Sequence, residues 1–163
     1  MQRIINIEQA VKLGKRLRKN GKVIVLAGGC FDVIHLGHVK FLEAAKKNGD
    51  ILLVFLESDA NVKKIKGDQR PIHTQDERAQ VLQAIRSIDY VIKIPFLEKN
   101  ADYDKLVIRL KPSIIAITKG SSAFEHSKRQ AKLIDAEVLE VIGNIPEKST
   151  TKIAQIILDE NKL

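Results

Sequence analysis

The stretch Val23-Ile24-Val25-Leu26-Ala27-Gly28-Gly29-Cys30-Phe31-Asp32-Val33-Ile34-His35-Leu36-Gly37-His38 decides the fold. Its first five residues are apolar and rich in β-branched side chains, the pattern of a strand buried on both faces. After His38 the period becomes helical, with Val39, Leu42, Glu43 and Lys46 along one side and Lys47 and Asn48-Gly49 as a C-terminal stop. Between strand and helix lie two glycines, an acid and two histidines. In sheets built of such units, ligands bind at that junction, beyond the carboxyl end of the strand and against the N–H groups that open the helix.

Working outward, four more short apolar runs read as strands: Ile51 to Leu56, Tyr90 to Ile94, Ile114 to Thr118 and Val138 to Ile142. Longer segments of helical period separate them, and strand-helix alternation means parallel strands joined by crossovers. The expected fold is α/β, a Rossmann-like doubly wound five-stranded parallel sheet with helices on both faces. Asn6-x-x-Gln9 and Thr74-x-x-Glu77 have the form of capping boxes, predicting helices over about 7–19 and 75–86. A last helix is expected from Ser149 or Thr150, with Ile153, Ile156 and Ile157 facing the core. With no repeat or linker evident, the chain is expected to be a single domain over 1–163, its basic N-terminal helix packed on the sheet.

Composition narrows the function. The 163 residues carry a formal net charge of +8, so anionic partners are favoured, whether nucleic acid, membrane face or phosphorylated small molecule. A lone cysteine, Cys30, excludes an internal disulfide and a zinc ribbon. The longest apolar run, Ile51 to Leu56, is far short of the roughly 18 residues of a membrane span. No leader pattern is evident, so a soluble, unprocessed, cytoplasmic chain is expected. The basic run Lys12, Lys15, Arg16, Arg18, Lys19 and Lys22 raises nucleic-acid binding as an alternative, but five Phe, two Tyr and no Trp offer few stacking platforms. A charged, solvated helix is the better account.

At the junction, the glycine spacing does not match the G-x-G-x-x-G dinucleotide fingerprint. A zinc site lacks further ligands, because His73 and His126 belong to other segments. His35 and His38, three residues apart at a helix start, project from one face toward the same bound group. Asp32 is expected to fix the loop by accepting local backbone hydrogen bonds, and Cys30 to be a buried small residue.

The run Gly28 to His38 resembles the signature of the cytidylyltransferase-like nucleotidyltransferases, G-x-F-D-x-x-H-x-G-H after the first strand. Ser58-Asp59, Lys66-Gly67-Asp68, Arg70-Pro71, Arg78, Val81-Leu82 and Asp89-Tyr90-Val91 follow in the order and spacing of the adenylyltransferase domain of the bacterial heptose-phosphate enzymes. Ser149-Thr150-Thr151-Lys152-Ile153 is similar to the element that opens their last helix, and the lead-in from Ile7 to Lys22 is similar too. One segment departs: where those enzymes show Lys-Gly-Gly-Asp-Tyr, this chain has Lys119-Gly120-Ser121-Ser122-Ala123-Phe124.

The resemblance implies transfer of a nucleoside monophosphate from a triphosphate to a phosphorylated small molecule, with release of pyrophosphate. The first case is ATP with a sugar 1-phosphate such as D-glycero-D-manno-heptose 1-phosphate. The alternatives are a CTP-dependent enzyme similar to glycerol-3-phosphate cytidylyltransferase, and a protein that binds nucleotide without turnover. It implies catalytic roles for His35, His38 and Lys66, and nucleotide or phosphate contacts for Gly28, Gly29, Cys30, Phe31, Asp32, Gly37, Arg70, Arg78, Lys119, Gly120, Ser149, Thr150 and Thr151. Lys66 and Arg70 match positions of a mobile clamp. Mg2+ is the implied cofactor, held mainly by the triphosphate and not by protein ligands, and relatives of this kind often form homodimers.

Overall fold

Alternate side chains of each central strand enter two separate cores, which sorts the helices onto two sides of one sheet. The computed structural model of the chain describes residues 3–143 and Ile153. In chain order its elements are β1 (Ile4–Ile5), α1 (Ile7–Lys19), β2 (Ile24–Gly29), α2 (Leu36–Lys46), β3 (Ile51–Leu56), α3 (Asp59–Lys66), α4 (Gln75–Gln83), β4 (Tyr90–Lys93), α5 (Asn100–Leu110), β5 (Ile114–Thr118), α6 (Phe124–Ile134) and β6 (Glu137–Ile142). Successive strand side chains point to opposite faces. Ile24, Leu26, Leu53 and Phe55 therefore pack with Ala10 and Leu13 of α1, Leu106 and Leu110 of α5 and Ala131 of α6. Val25, Ala27, Leu52 and Val54 pack with Leu42 and Ala45 of α2 and Ala79 and Leu82 of α4.

The sheet has six strands, not the expected five, in the order β1-β4-β3-β2-β5-β6, and every pairing is parallel. The extra strand is the Ile4–Ile5 pair against Val91 and Ile92 at the sheet edge, too short to leave a periodic signal. The winding is double: from β2 the chain runs outward through β3 to β4, then returns to place β5 on the other side of β2. β2 and β5 thus flank the point where the strand order reverses.

Both capping boxes form, Asn6 with Gln9 and Thr74 with Glu77. α1 spans the expected residues, whereas α4 stops at Gln83, short of 86. The expected last helix, Ile153 apart, lies outside the described residues. Among the described residues no helix is long and apolar enough to cross a membrane.

Candidate active site

Beyond the carboxyl ends of β2, β3 and β5 lies an open cleft of about 1220 Å³. The β2–α2 loop forms its floor, α3 and α5 one wall, and residues 121–127 at the start of α6 the other. Gly28, Gly29, Cys30, Phe31, Asp32, His35, Gly37 and His38 all line it, so the densest cluster of the sequence is at the switch point.

His35 is the N-cap of α2. Its backbone is extended and its Nδ1 accepts a hydrogen bond from the Gly37 N–H at 3.1 Å. That bond fixes the neutral tautomer with the proton on Nε2. The ring of His38 stacks on that of His35, with centroids 3.9 Å apart, and touches Phe31 at 5.3 Å. Burial, reinforced by His35, pushes the His38 pKa down to about 4. Burial lowers that of His35 as well. Both imidazoles are therefore neutral at physiological pH. His38 Nδ1 is buried with no partner among the described residues, leaving Nε2 as the atom that can meet a ligand.

The loop that presents the pair is held from behind. Phe31 adopts a left-handed backbone (φ 46°) and buries its ring, and a Cβ on Gly29 would come within 3.0 Å of that ring. Asp32 accepts from the backbone N–H groups of Ile72 (2.9 Å) and His73 (3.0 Å) and pairs with Arg70 Nε. The backbone it fixes is thus the distant 70–73 segment, not a local turn. Burial pushes the Asp32 carboxyl up, but the bonds from His73, Ile72 and Arg70 outweigh it and hold the pKa below the usual carboxylate range. Cys30 is half-buried, and burial together with the Glu57 charge pushes its thiol upward, so it stays protonated.

Arg78 corrects an expectation. Matched to a phosphate ligand, it is 1% exposed and its guanidinium donates to the carbonyls of His73, Cys30 and Glu57 and to Asp59 Oδ1. It is a brace that ties these segments together, and it does not line the cleft. Lys66 and Arg70 do line the cleft. Lys66 forms no hydrogen bond or ion pair among the described residues, while Arg70 commits Nε to Asp32. Lys66 ends helix α3, which is capped by Ser58. Lys119 and Gly120 occupy an exposed turn between the cleft-lining Thr118 and Ser121, with Gly120 left-handed at φ 72°. Ser149, Thr150 and Thr151 lie outside the described residues.

Sequence reasoning missed a polar triangle on the α3–α5 wall. Tyr103 Oη donates to Glu57 Oε2 at 2.8 Å, and Asn61 Nδ2 reaches the same oxygen at 2.9 Å and Tyr103 Oη at 2.8 Å. A signal existed, since Glu57 directly follows a buried strand and Asn61 is four residues on, but Tyr103 joins them only in three dimensions. Gln130 on the facing wall was likewise not singled out, while Ser121 and Ser122, noted as a departure from the resemblance, and His126, weighed as a zinc ligand, line that wall too.

A switch-point cleft with paired histidines at a helix start defines a nucleotide-handling α/β domain. The chain belongs to the cytidylyltransferase-like family of nucleotidyltransferases, which matches residues 26–157. It is 38% identical over 159 residues to the bifunctional protein HldE of Aliarcobacter butzleri, covering 98% of this chain and 32% of that protein. To HldE of Nitratiruptor sp. it is 39% identical, covering 93% and 31%. The chain thus spans about a third of the length of these relatives. The lipopolysaccharide core biosynthesis protein of Thermoplasma volcanium superposes with a TM-score of 0.60 at 29% identity, over 79% of this chain and all of that one. A pantoate-beta-alanine ligase from Francisella tularensis, solved with an ATP analogue and beta-alanine, shares the fold alone, at a TM-score of 0.63 and 16% identity, over 100% of this chain and 80% of that one.

Proposed function

We propose that the chain transfers adenylate from ATP to a phosphorylated sugar and releases pyrophosphate, with heptose 1-phosphate the first co-substrate to try. The observation that carries this is the stacked, neutral His35–His38 pair at the opening of α2, with both Nε2 atoms available to the cleft. A phosphate oxygen of the co-substrate attacks the α-phosphorus. The bond from that phosphorus to the bridging oxygen breaks, and the electron pair leaves with pyrophosphate. The attacking phosphate is already ionised, so no general base is needed. Two polyanions must be brought together, and catalysis consists of positioning and of donors aimed at the developing charge. His35 Nε2–H and the His38 ring are those donors, and Lys66 closes over the phosphates from α3.

Among the described residues no group of three or more His, Cys, Asp or Glu is placed to hold a metal ion. The one carboxylate in the loop, Asp32, is already occupied by Arg70 and two backbone donors. We assign Mg2+ to the triphosphate, where it would offset phosphate charge. Cytidylyl transfer is the second reading, favoured by the family match and by the absence of the acidic residue in the 119–124 turn.

The test is pyrophosphate release with ATP or CTP, Mg2+ and a panel of phosphorylated co-substrates. Release with ATP and a sugar 1-phosphate is expected; a preference for CTP moves the assignment to the second reading, and no release with any pair removes the enzyme class.

A further inference from the structure

The Glu57–Asn61–Tyr103 triangle is unexplained by phosphate chemistry. A carboxylate repels phosphates, yet this one lines the same cleft as Lys66 and Arg70. Its Oε2 is saturated by Tyr103 and Asn61, and Asn61 is itself 2% exposed, so the carboxylate is held from behind in one orientation. Oε1 forms no hydrogen bond among the described residues and is not buried. The site therefore presents one fixed, charged hydrogen-bond acceptor with cations close by, since Lys66, Arg78 and Arg70 all act electrostatically on the neighbouring Cys30. An ammonium guest would meet those cations. A neutral hydroxyl meets no such penalty.

We propose that Glu57 Oε1 recognises a hydroxyl of a polyhydroxylated, phosphorylated co-substrate, with Asn61 and Tyr103 as positioning residues, so that the sugar end lies on the α3–α5 wall and the phosphate end turns toward His35 and Lys66. This rests on the nucleotidyl-transfer reading and adds to it the residue that reads the sugar and the orientation in which the sugar lies. Nucleotide then takes the other wall, where Ser121, His126 and Gln130 offer polar groups suited to a ribose and base.

The experiment measures KM for nucleotide and for sugar 1-phosphate separately in Glu57→Gln and Tyr103→Phe, with melting curves to verify folding. A bond to a charged acceptor is worth a factor of about ten or more. Glu57→Gln should raise KM for the sugar phosphate by about that factor and leave KM for the nucleotide within about twofold. Tyr103→Phe should do the same more weakly, and the Glu57→Gln penalty should disappear with a deoxy sugar phosphate lacking the recognised hydroxyl. A rise in the nucleotide KM alone, an unchanged sugar-phosphate KM, or a wild-type preference for phosphoethanolamine over every sugar phosphate overturns the assignment. If wild type releases no pyrophosphate with any pair, nucleotidyl transfer itself fails. Calorimetric binding of the sugar 1-phosphates to wild type and Glu57→Gln then decides the Glu57 assignment alone: weaker binding to the variant upholds it, and equal binding or none to either overturns it.

Discussion

Arg78 in α4 and Lys66 at the end of α3 both match phosphate-facing positions in the resemblance, yet the fold puts them to opposite uses. Arg78 is 1% exposed and directs its donors at three carbonyls and Asp59. Lys66 is exposed at the cleft rim and forms no hydrogen bond or ion pair among the described residues. A buried cation must be satisfied by the protein around it, because leaving it unpaired costs several kcal/mol. One at a rim keeps its donors in water until an anion arrives. Cations near a phosphate site thus divide into those that build the cleft and those that grip what enters it, and burial is the physical sorter.

The comparison breaks first at Arg78. Arg78→Met strands the carbonyls of Cys30, Glu57 and His73, and should cost about 3–5 kcal/mol, a fall in Tm on the order of 10 °C. A melting curve like that of wild type would mean the brace is dispensable. His38→Ala should lower kcat by about 10² to 10³ with the circular dichroism spectrum unchanged. Normal turnover would take His38 out of the mechanism. Lys66→Ala sharpens the contrast, with kcat/KM falling about tenfold while Tm stays within about 2 °C, as for a surface substitution. A large loss of stability would place Lys66 with Arg78 as a structural cation.

The smallest effect is a pH dependence. The folded His38 ring takes up a proton only near pH 4, and the unfolded one near 6.5. Between those values the unfolded state binds more protons, so acidification from 6.5 toward 4 favours unfolding, and the stability present above 6.5 is lost across that window. Titration of Tm should show a shallower decline over that window in His38→Asn. Equal slopes would mean the ring is hydrated and titrates normally.

Legibility followed the range of the interactions. The five long strands, both capping boxes and the His35–His38 loop are written in contiguous residues, and each took its expected place. Ile4–Ile5 escaped because two residues carry no period, and its pairing depends on β4, over 80 positions away. Helix α3 was hidden by its charge: of Asp59–Lys66 only Asn61 and Val62 are buried, too little apolar surface to mark a face. The role of Arg78 was illegible for a different reason, since three of its partners are backbone carbonyls, which any residue type can supply. The tie from Asp32 to 70–73 likewise joins a legible acid to main-chain donors that leave no mark on the sequence.

The two ends of the His35 ring face different ways: Nδ1 caps α2, and Nε2 is the nitrogen left for the cleft. Because Gly37 holds Nδ1, the imidazole cannot hand a proton from one nitrogen to the other, and shuttle chemistry is closed to it. On the nucleotidyl-transfer proposal, turnover would then follow the ionisation of the bound phosphates, rising as they lose their last proton at about pH 6 and staying level above it, instead of a bell.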